Sequence, residues 1–174
     1  MSEPQKISVL FVCLGNICRS TMAEGVFQSV ARKEPYRGLV DRIDSCGTAA
    51  YHVGDTPDHR TMLTLESNGI KNYRHRGRQL TKSDFDEFDY IFAMDRSNLA
   101  DIQNVQRSKQ GSKAKVMLWG EYAGNGGQGR KTTVEIVEDP YYGGREGFKV
   151  VYEQCTRFTG NFLREVFPDV KSEL

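Results

Sequence analysis

The sequence has no run of apolar residues approaching the roughly 18 that a membrane helix requires. Its start, Met-Ser-Glu-Pro-Gln-Lys, lacks both the charged opening and the apolar stretch of a secretory signal. A soluble, cytoplasmic protein with no membrane contact is the expectation. Cysteine is scarce, with only Cys13, Cys18, Cys46 and Cys155 in 174 residues. So few thiols in a chain this long exclude a disulfide-dense secreted scaffold, and their spacing fits no zinc pattern. Charge of one sign is also missing. With 24 basic and 23 acidic residues, the chain lacks the basic footprint of a nucleic-acid binder, so nucleic acid is not an expected partner. There are no internal repeats, and the length suits one domain with a single core.

What the chain does have is one dense stretch. Cys13-Leu14-Gly15-Asn16-Ile17-Cys18-Arg19-Ser20 sets a thiol and a guanidinium six positions apart around a short loop. Before it, Ile7-Ser8-Val9-Leu10-Phe11-Val12 reads as a buried strand. After it, Met22, Ala23, Val26, Phe27 and Val30 recur at helical spacing over residues 21–32. In the order strand, tight loop, helix start, the loop's backbone N–H groups can converge on one point with the positive end of the helix dipole behind them. A dianion such as phosphate fits such a nest. Arg19 adds a planar fork for two oxygens, where a lysine would offer a point charge. The same field favours a thiolate at Cys13, the form that attacks phosphorus. Ser20 stands where it can cap the helix or hydrogen-bond the sulfur. A bare Cys and Arg at this spacing also describe an ordinary buried cysteine and a turn; the full octet between strand and helix is the more specific signal.

Phosphate-ester hydrolysis further needs a proton donor for the departing oxygen. Asp139, in Glu138-Asp139-Pro140-Tyr141-Tyr142-Gly143, is the candidate. Pro140 restricts it to extended backbone angles, and the two tyrosines can shield its carboxyl from water.

Strand and helix signals alternate along the chain. Strands are expected at 40–45, 89–94 and 115–119, and helices at 57–68, 97–106 and 146–167, the first of these three opening on Pro57 and stopping before Gly69. Phe148, Val151, Tyr152, Cys155, Phe158, Phe162 and Val166 recur every three or four residues, which puts Cys155 on an apolar stripe, while Cys46 follows the second strand. The pattern predicts an α/β fold: a single domain with a four-stranded parallel sheet, helices on both faces, and a phosphate-binding loop after the first strand. Ligands of such sheets sit beyond the carboxyl ends of the strands. Cys13, just past the first strand, and Asp95, just past the third, share that rim. Residues 120–131 hold five glycines and almost no apolar side chains, which reads as a flexible surface loop.

The octet, Ala93-Met94-Asp95-Arg96-Ser97-Asn98-Leu99 and the Asp139-Pro140 segment, in that order, closely resemble the low molecular weight protein tyrosine phosphatases, over about residues 6–167. The resemblance implies hydrolysis of phosphotyrosine in proteins or peptides and of small aryl phosphates, with inorganic phosphate as product, no metal and no organic cofactor, by a monomer. It implies Cys13 as nucleophile, Asp139 as general acid and then base, and Arg19 with the amides of Leu14, Gly15, Asn16, Ile17, Cys18 and Arg19 around the phosphate. It further implies that Asn16 is locked by hydrogen bonds to Ser20, Ser45 and His75, that Asp95 interacts with Arg19, and that Tyr51, Tyr141 and Tyr142 wall a deep cleft. Read from its own neighbours, Arg74-His75-Arg76-Gly77-Arg78, His75 is instead a surface histidine. A redox switch in which Cys18 captures an oxidised Cys13, and phosphorylation of Tyr141 or Tyr142, are further expectations.

Three rival readings share these residues. An arsenate reductase of this fold needs a further pair of redox cysteines, and the only later ones, Cys46 and Cys155, lie far apart in sequence. Protein-arginine phosphatases of the fold carry threonine where this chain has Ile17. A phosphotyrosine-binding module without catalysis would most simply lack Cys13 or Asp139, and both are present.

Overall fold

The computed structural model describes residues 5–124 and 133–170. Four strands form one parallel sheet: β1 (Ile7–Cys13), β2 (Val40–Gly47), β3 (Tyr90–Ala93) and β4 (Lys115–Leu118), in the order β2-β1-β3-β4. β1 is central, and Val9, Leu10, Phe11 and Val12 are all fully buried, as expected for a strand covered on both faces. The alternation of the pleat divides the core in two. Val9, Phe11 and Cys13 face one layer with α1 (Arg19–Ala31) and α5 (Arg145–Val166), onto which α2 (His59–Ser67) packs; Leu10 and Val12 face the other, with α3 (Asp84–Glu87) and α4 (Arg96–Arg107). On the first face Phe11, Phe27, Phe92, Trp119 and Phe162 form one aromatic cluster, with ring centroids 4.6 Å apart for Phe92 and Trp119. Burying each such ring contributes about 1.5–3 kcal/mol.

The strand order places the switch point between β1 and β3. The chain leaves β1 toward β2 on one side, then crosses back to β3 on the other, so the loops after β1 and β3 part from each other at the carboxyl rim. Cys13 is the last residue of β1, one position earlier than expected, and Asp95 follows β3, so both stand at that rim.

Several boundaries differ from expectation. α1 begins at Arg19, two residues early, because the loop curls directly into the helix and the Cys18 carbonyl already accepts from the Met22 amide at 3.0 Å. α2 begins at His59 and not at Pro57, since the carboxylate of Asp58 accepts from the Arg60 amide and makes Asp58 the N-cap. Cys46 lies within β2, not after it. The first part of the glycine-rich stretch is ordered: Trp119–Tyr122 form a 3-10 turn with Trp119 and Gly120 buried. Gly120 is required there, because a Cβ would stand 1.7 Å from the Glu135 carbonyl oxygen. Residues 125–131 of that stretch lie outside the described residues. The one-turn α3 is too short to show a period in sequence.

Candidate active site

The loop from Cys13 to Ser20 is held from outside by its carbonyls. Cys13 and Leu14 accept from the amides of Thr48 and Ala49, Ile17 accepts from the amide of Asp58, and Cys18 accepts from the hydroxyls of Thr21 and Thr61. This close docking needs Gly47, where a Cβ would lie 2.7 Å from the Leu14 oxygen. With the carbonyls turned outward, the amides of Gly15, Ile17, Cys18 and Arg19 have no protein acceptor among the described residues, and the amide of Asn16 reaches the Cys13 sulfur at 3.3 Å. The Ser20 hydroxyl lies 3.1 Å from that sulfur. Of its two predicted roles Ser20 takes this one, since α1 has no side-chain cap.

Asn16 is the keystone of the loop. It has φ 59°, the left-handed region that asparagine tolerates better than most residues, and its buried amide makes four bonds. Nδ2 donates to Ser20 Oγ at 2.8 Å and to Ser45 Oγ at 2.9 Å, while Oδ1 accepts from His75 Nε2 at 2.8 Å and from the Arg78 amide at 3.1 Å. His75 is therefore interior, with its side chain 7 % exposed, and its reading as a surface histidine is corrected. The segment 73–77 runs alternately in and out, with Tyr73 and His75 inward and Arg74 and Arg76 outward. A pairing of residues 78–80 with the end of β2 pins it.

Because Oδ1 of Asn16 can only accept, Nε2 of His75 carries a proton, and its other nitrogen faces Glu24 Oε1 at 3.3 Å and Asp44 Oδ1 at 3.6 Å. Burial pushes the Glu24 carboxyl up to about 7, against the hydroxyls of Ser45 and Tyr73 that donate to it. Burial lowers the pKa of His75. Glu24, Asp44 and His75 lie close enough to hold a metal ion, yet their atoms are engaged by Ser45, Tyr73, Asn16 and Arg78, which marks them as support for the loop. Sequence reasoning missed Glu24, Asp44, Tyr73 and Arg78; the in-out alternation at 73–77 was the available signal.

Arg19 is 4 % exposed and donates to Asp95 Oδ2 at 2.5 Å and to the Val137 carbonyl at 3.1 Å. Burial opposes its charge, but Cys13, Asp95 and Asp139 together raise its pKa above the ordinary value. Asp95 is itself fixed as the N-cap of α4, accepting from the Asn98 amide. Val137 arrives from a segment clamped by Arg157 on Glu135, by Gln154 on the Ile136 carbonyl, and by its own amide on the Met94 carbonyl. That clamp delivers Asp139, whose Oδ2 lies 3.8 Å from Arg19 Nη2.

These groups open on one cavity of about 250 Å³, lined by the loop from Cys13 to Arg19, by Asp139, and by Tyr51, His52, Tyr141 and Tyr142. Every predicted site residue is brought to this cavity or to the network beneath it. Two details differ from expectation. Asp139 is 43 % exposed and Tyr142 is 93 % exposed, so the tyrosines stand at the rim and do not shield the carboxyl. His52, hydrogen-bonded to Asp55 at 3.0 Å, joins the wall unforeseen. Cys18 is buried beside the cavity, and burial, then the Asp58 charge, raises its pKa well above an ordinary thiol's. Cys155, also buried, is pushed up to about 12.

A family model described as low molecular weight phosphotyrosine protein phosphatase matches residues 8–172. The protein of that name from Schizosaccharomyces pombe is 53 % identical over 162 residues, covering 93 % of this chain and 98 % of the relative. Among solved structures, a protein tyrosine phosphatase from Entamoeba histolytica is 33 % identical with a TM-score of 0.79, covering 94 % of this chain and 99 % of the other. A Drosophila arginine phosphatase is 38 % identical with a TM-score of 0.80, covering 97 % and 100 %.

Proposed function

Because the chain belongs to the low molecular weight phosphotyrosine protein phosphatase family, we propose that the cavity at Cys13 hydrolyses phosphotyrosine in proteins and peptides, and small aryl phosphates, through a cysteinyl phosphate. The observation that carries this reading is the meeting of a thiol, a buried guanidinium and a carboxyl in one cavity floored by free amides. Cys13 Sγ attacks phosphorus in line as the bond to the phenolic oxygen breaks, and Asp139 gives that oxygen its proton. Asp139 then takes a proton from the water that attacks phosphorus, the sulfur–phosphorus bond breaks, and inorganic phosphate leaves. Arg19 and the amides of residues 14, 15 and 17–19 hold the equatorial oxygens through both steps, which is preorganised electrostatic stabilisation. The amide of Asn16 and the hydroxyl of Ser20 hydrogen-bond the sulfur as it leaves phosphorus.

The fold likeness does not separate phosphotyrosine from phosphoarginine, since structures of both kinds superpose equally well. Ile17 on the wall supports the phenyl reading, since an apolar side chain meets an uncharged ring without desolvating a charge. The four cysteines are free, which suits a reducing compartment, and a cytoplasmic monomer formed by one phosphatase domain belongs to this reading.

The test is turnover of p-nitrophenyl phosphate and of phosphotyrosine, phosphoserine and phosphoarginine peptides. Phosphotyrosine is hydrolysed fastest, and Cys13→Ser removes turnover while phosphate still binds. Arg19→Lys weakens both binding and rate, because a point charge cannot replace the fork. Steady-state hydrolysis by pure Cys13→Ser protein, or a preference for phosphoarginine, refutes the proposal.

A further inference from the structure

Beside the catalytic cavity, α2 and the first turns of α5 enclose a second groove of about 300 Å³. The two are separated by one side chain. The Arg60 guanidinium lies over the Tyr141 ring at 5.4 Å on the catalytic side and over the Phe148 ring at 4.5 Å on the groove side. It is fixed there by Asp58, which takes its Nε at 3.1 Å, and by the Gly143 carbonyl at 3.4 Å. Arg60 is thus a built partition and not a loose surface cation. Beyond it Phe148 is buried beneath the Arg60 guanidinium, the exposed Leu63 is the groove's apolar surface, and Arg145 and Lys149 stand at its edge as cations. Arg145 has no ion-pair partner among the described residues. Among the described residues Lys149 meets only Glu146, one helical turn away, with both side chains largely exposed. Such a pair is worth little and gives way easily to another carboxylate.

Resting on the reading of Cys13 as a phosphotyrosine site, we propose that this groove is a substrate subsite for an acidic residue two to four positions from the phosphotyrosine, with Arg145 as its main cation and Lys149 as its second. The spacing follows from the partition. One side chain parts the two sites, the Arg60 guanidinium lying 5.4 Å from the Tyr141 ring centroid and 4.5 Å from that of Phe148, so extended chain at ~3.3 Å per residue passes the partition within a few residues. Charge selects the occupant: a carboxylate gains the Arg145 guanidinium, unpaired among the described residues, while its methylene groups lie on Leu63. A lysine at the same position meets like charge. The whole groove is substrate-facing surface outside the catalytic machinery, so it sets which phosphopeptides are used and not how phosphate is cleaved.

The test compares kcat/KM for phosphotyrosine peptides that carry glutamate, alanine or lysine at positions two to four on either side, in the wild type, Arg145→Ala and Arg145→Glu/Lys149→Glu. The quantity read is the ratio of glutamate to alanine peptide within each protein, so any change in overall activity cancels. The wild type should favour the best-placed glutamate by about three- to fivefold at low salt, the size of an exposed ion pair, with lysine below alanine. Arg145→Ala should reduce the ratio toward one, and the double variant should invert the order of glutamate and lysine. Hydrolysis of all three peptides at equal kcat/KM by the wild type overturns the subsite but leaves the phosphatase reading standing. A glutamate preference that survives unchanged in the double variant also overturns it. Failure to hydrolyse any phosphotyrosine peptide overturns both.

Discussion

Replacing Asn16 by alanine should damage the fold and the chemistry together. The substitution removes all four hydrogen bonds of a side chain that is 1 % exposed. Ser20 and Ser45 each lose an incoming donor, and both retain other partners in Cys13 and Glu24. The deeper loss is at Oδ1, because the Arg78 amide is left with no acceptor and His75 Nε2 keeps only the longer contact to Ser45 at 3.3 Å. A buried donor left unsatisfied costs about 1–3 kcal/mol, and alanine at the left-handed backbone of position 16 adds about 1–2 kcal/mol. The sum is about 2–5 kcal/mol, a large part of the ~5–15 kcal/mol that holds a domain folded. Urea unfolding should show the midpoint of Asn16→Ala lowered accordingly, with little change in slope. Since the same bonds hold the loop's amides in place, kcat/KM for an aryl phosphate should fall by about 10²-fold, the usual cost of a misplaced reacting geometry. Inorganic phosphate should raise the unfolding midpoint of the wild type, as any ligand of the folded state does, and raise that of the variant much less. A loss below about 1 kcal/mol, with kcat/KM within threefold of wild type, refutes the keystone role.

Asp139→Asn should slow aryl phosphates with poor leaving groups by about 10²–10⁴-fold and good ones far less, because only a basic phenolate needs the proton; equal losses across a leaving-group series exclude Asp139 as the acid. Glu24 is raised to about 7 from 4.5 by burial among Ser45, Tyr73, His75 and Asp44, so between those values the folded protein keeps a proton that the unfolded chain has released, and stability falls as pH rises through that window. Glu24→Gln removes that slope, and urea midpoints at pH 5, 6 and 7 should show the variant gaining on the wild type by ~2 kcal/mol across the range; parallel curves would mean that Glu24 titrates normally. Cys18, whose burial keeps it a thiol, should rescue Cys13 after peroxide by forming a disulfide that dithiothreitol reduces. Cys18→Ser should start active yet recover less after the same treatment, and equal recovery by both proteins removes Cys18 from that role.

Chain-local information determined the sheet and the reactive centre. The apolar run at 7–12, the octet from Cys13 to Ser20 and the stripe from Phe148 to Val166 each depend on neighbours within a few residues, so periodicity and turn chemistry sufficed to read them. The parallel sheet in turn places Cys13 and Asp95 on one rim. The tertiary structure decided everything that depends on chain crossings. His75 looks solvated among three basic neighbours, and only the pairing of 78–80 with β2 turns it inward onto Asn16. Glu24 is an ordinary helix carboxylate until Ser45 and Tyr73 close over it. Arg60 becomes a partition between two cavities only because α5 brings Phe148 beneath it. Such contacts join residues tens of positions apart, and no window of sequence contains both partners; their energies come from burial and from geometry that exist only once the sheet order β2-β1-β3-β4 has set which loops meet.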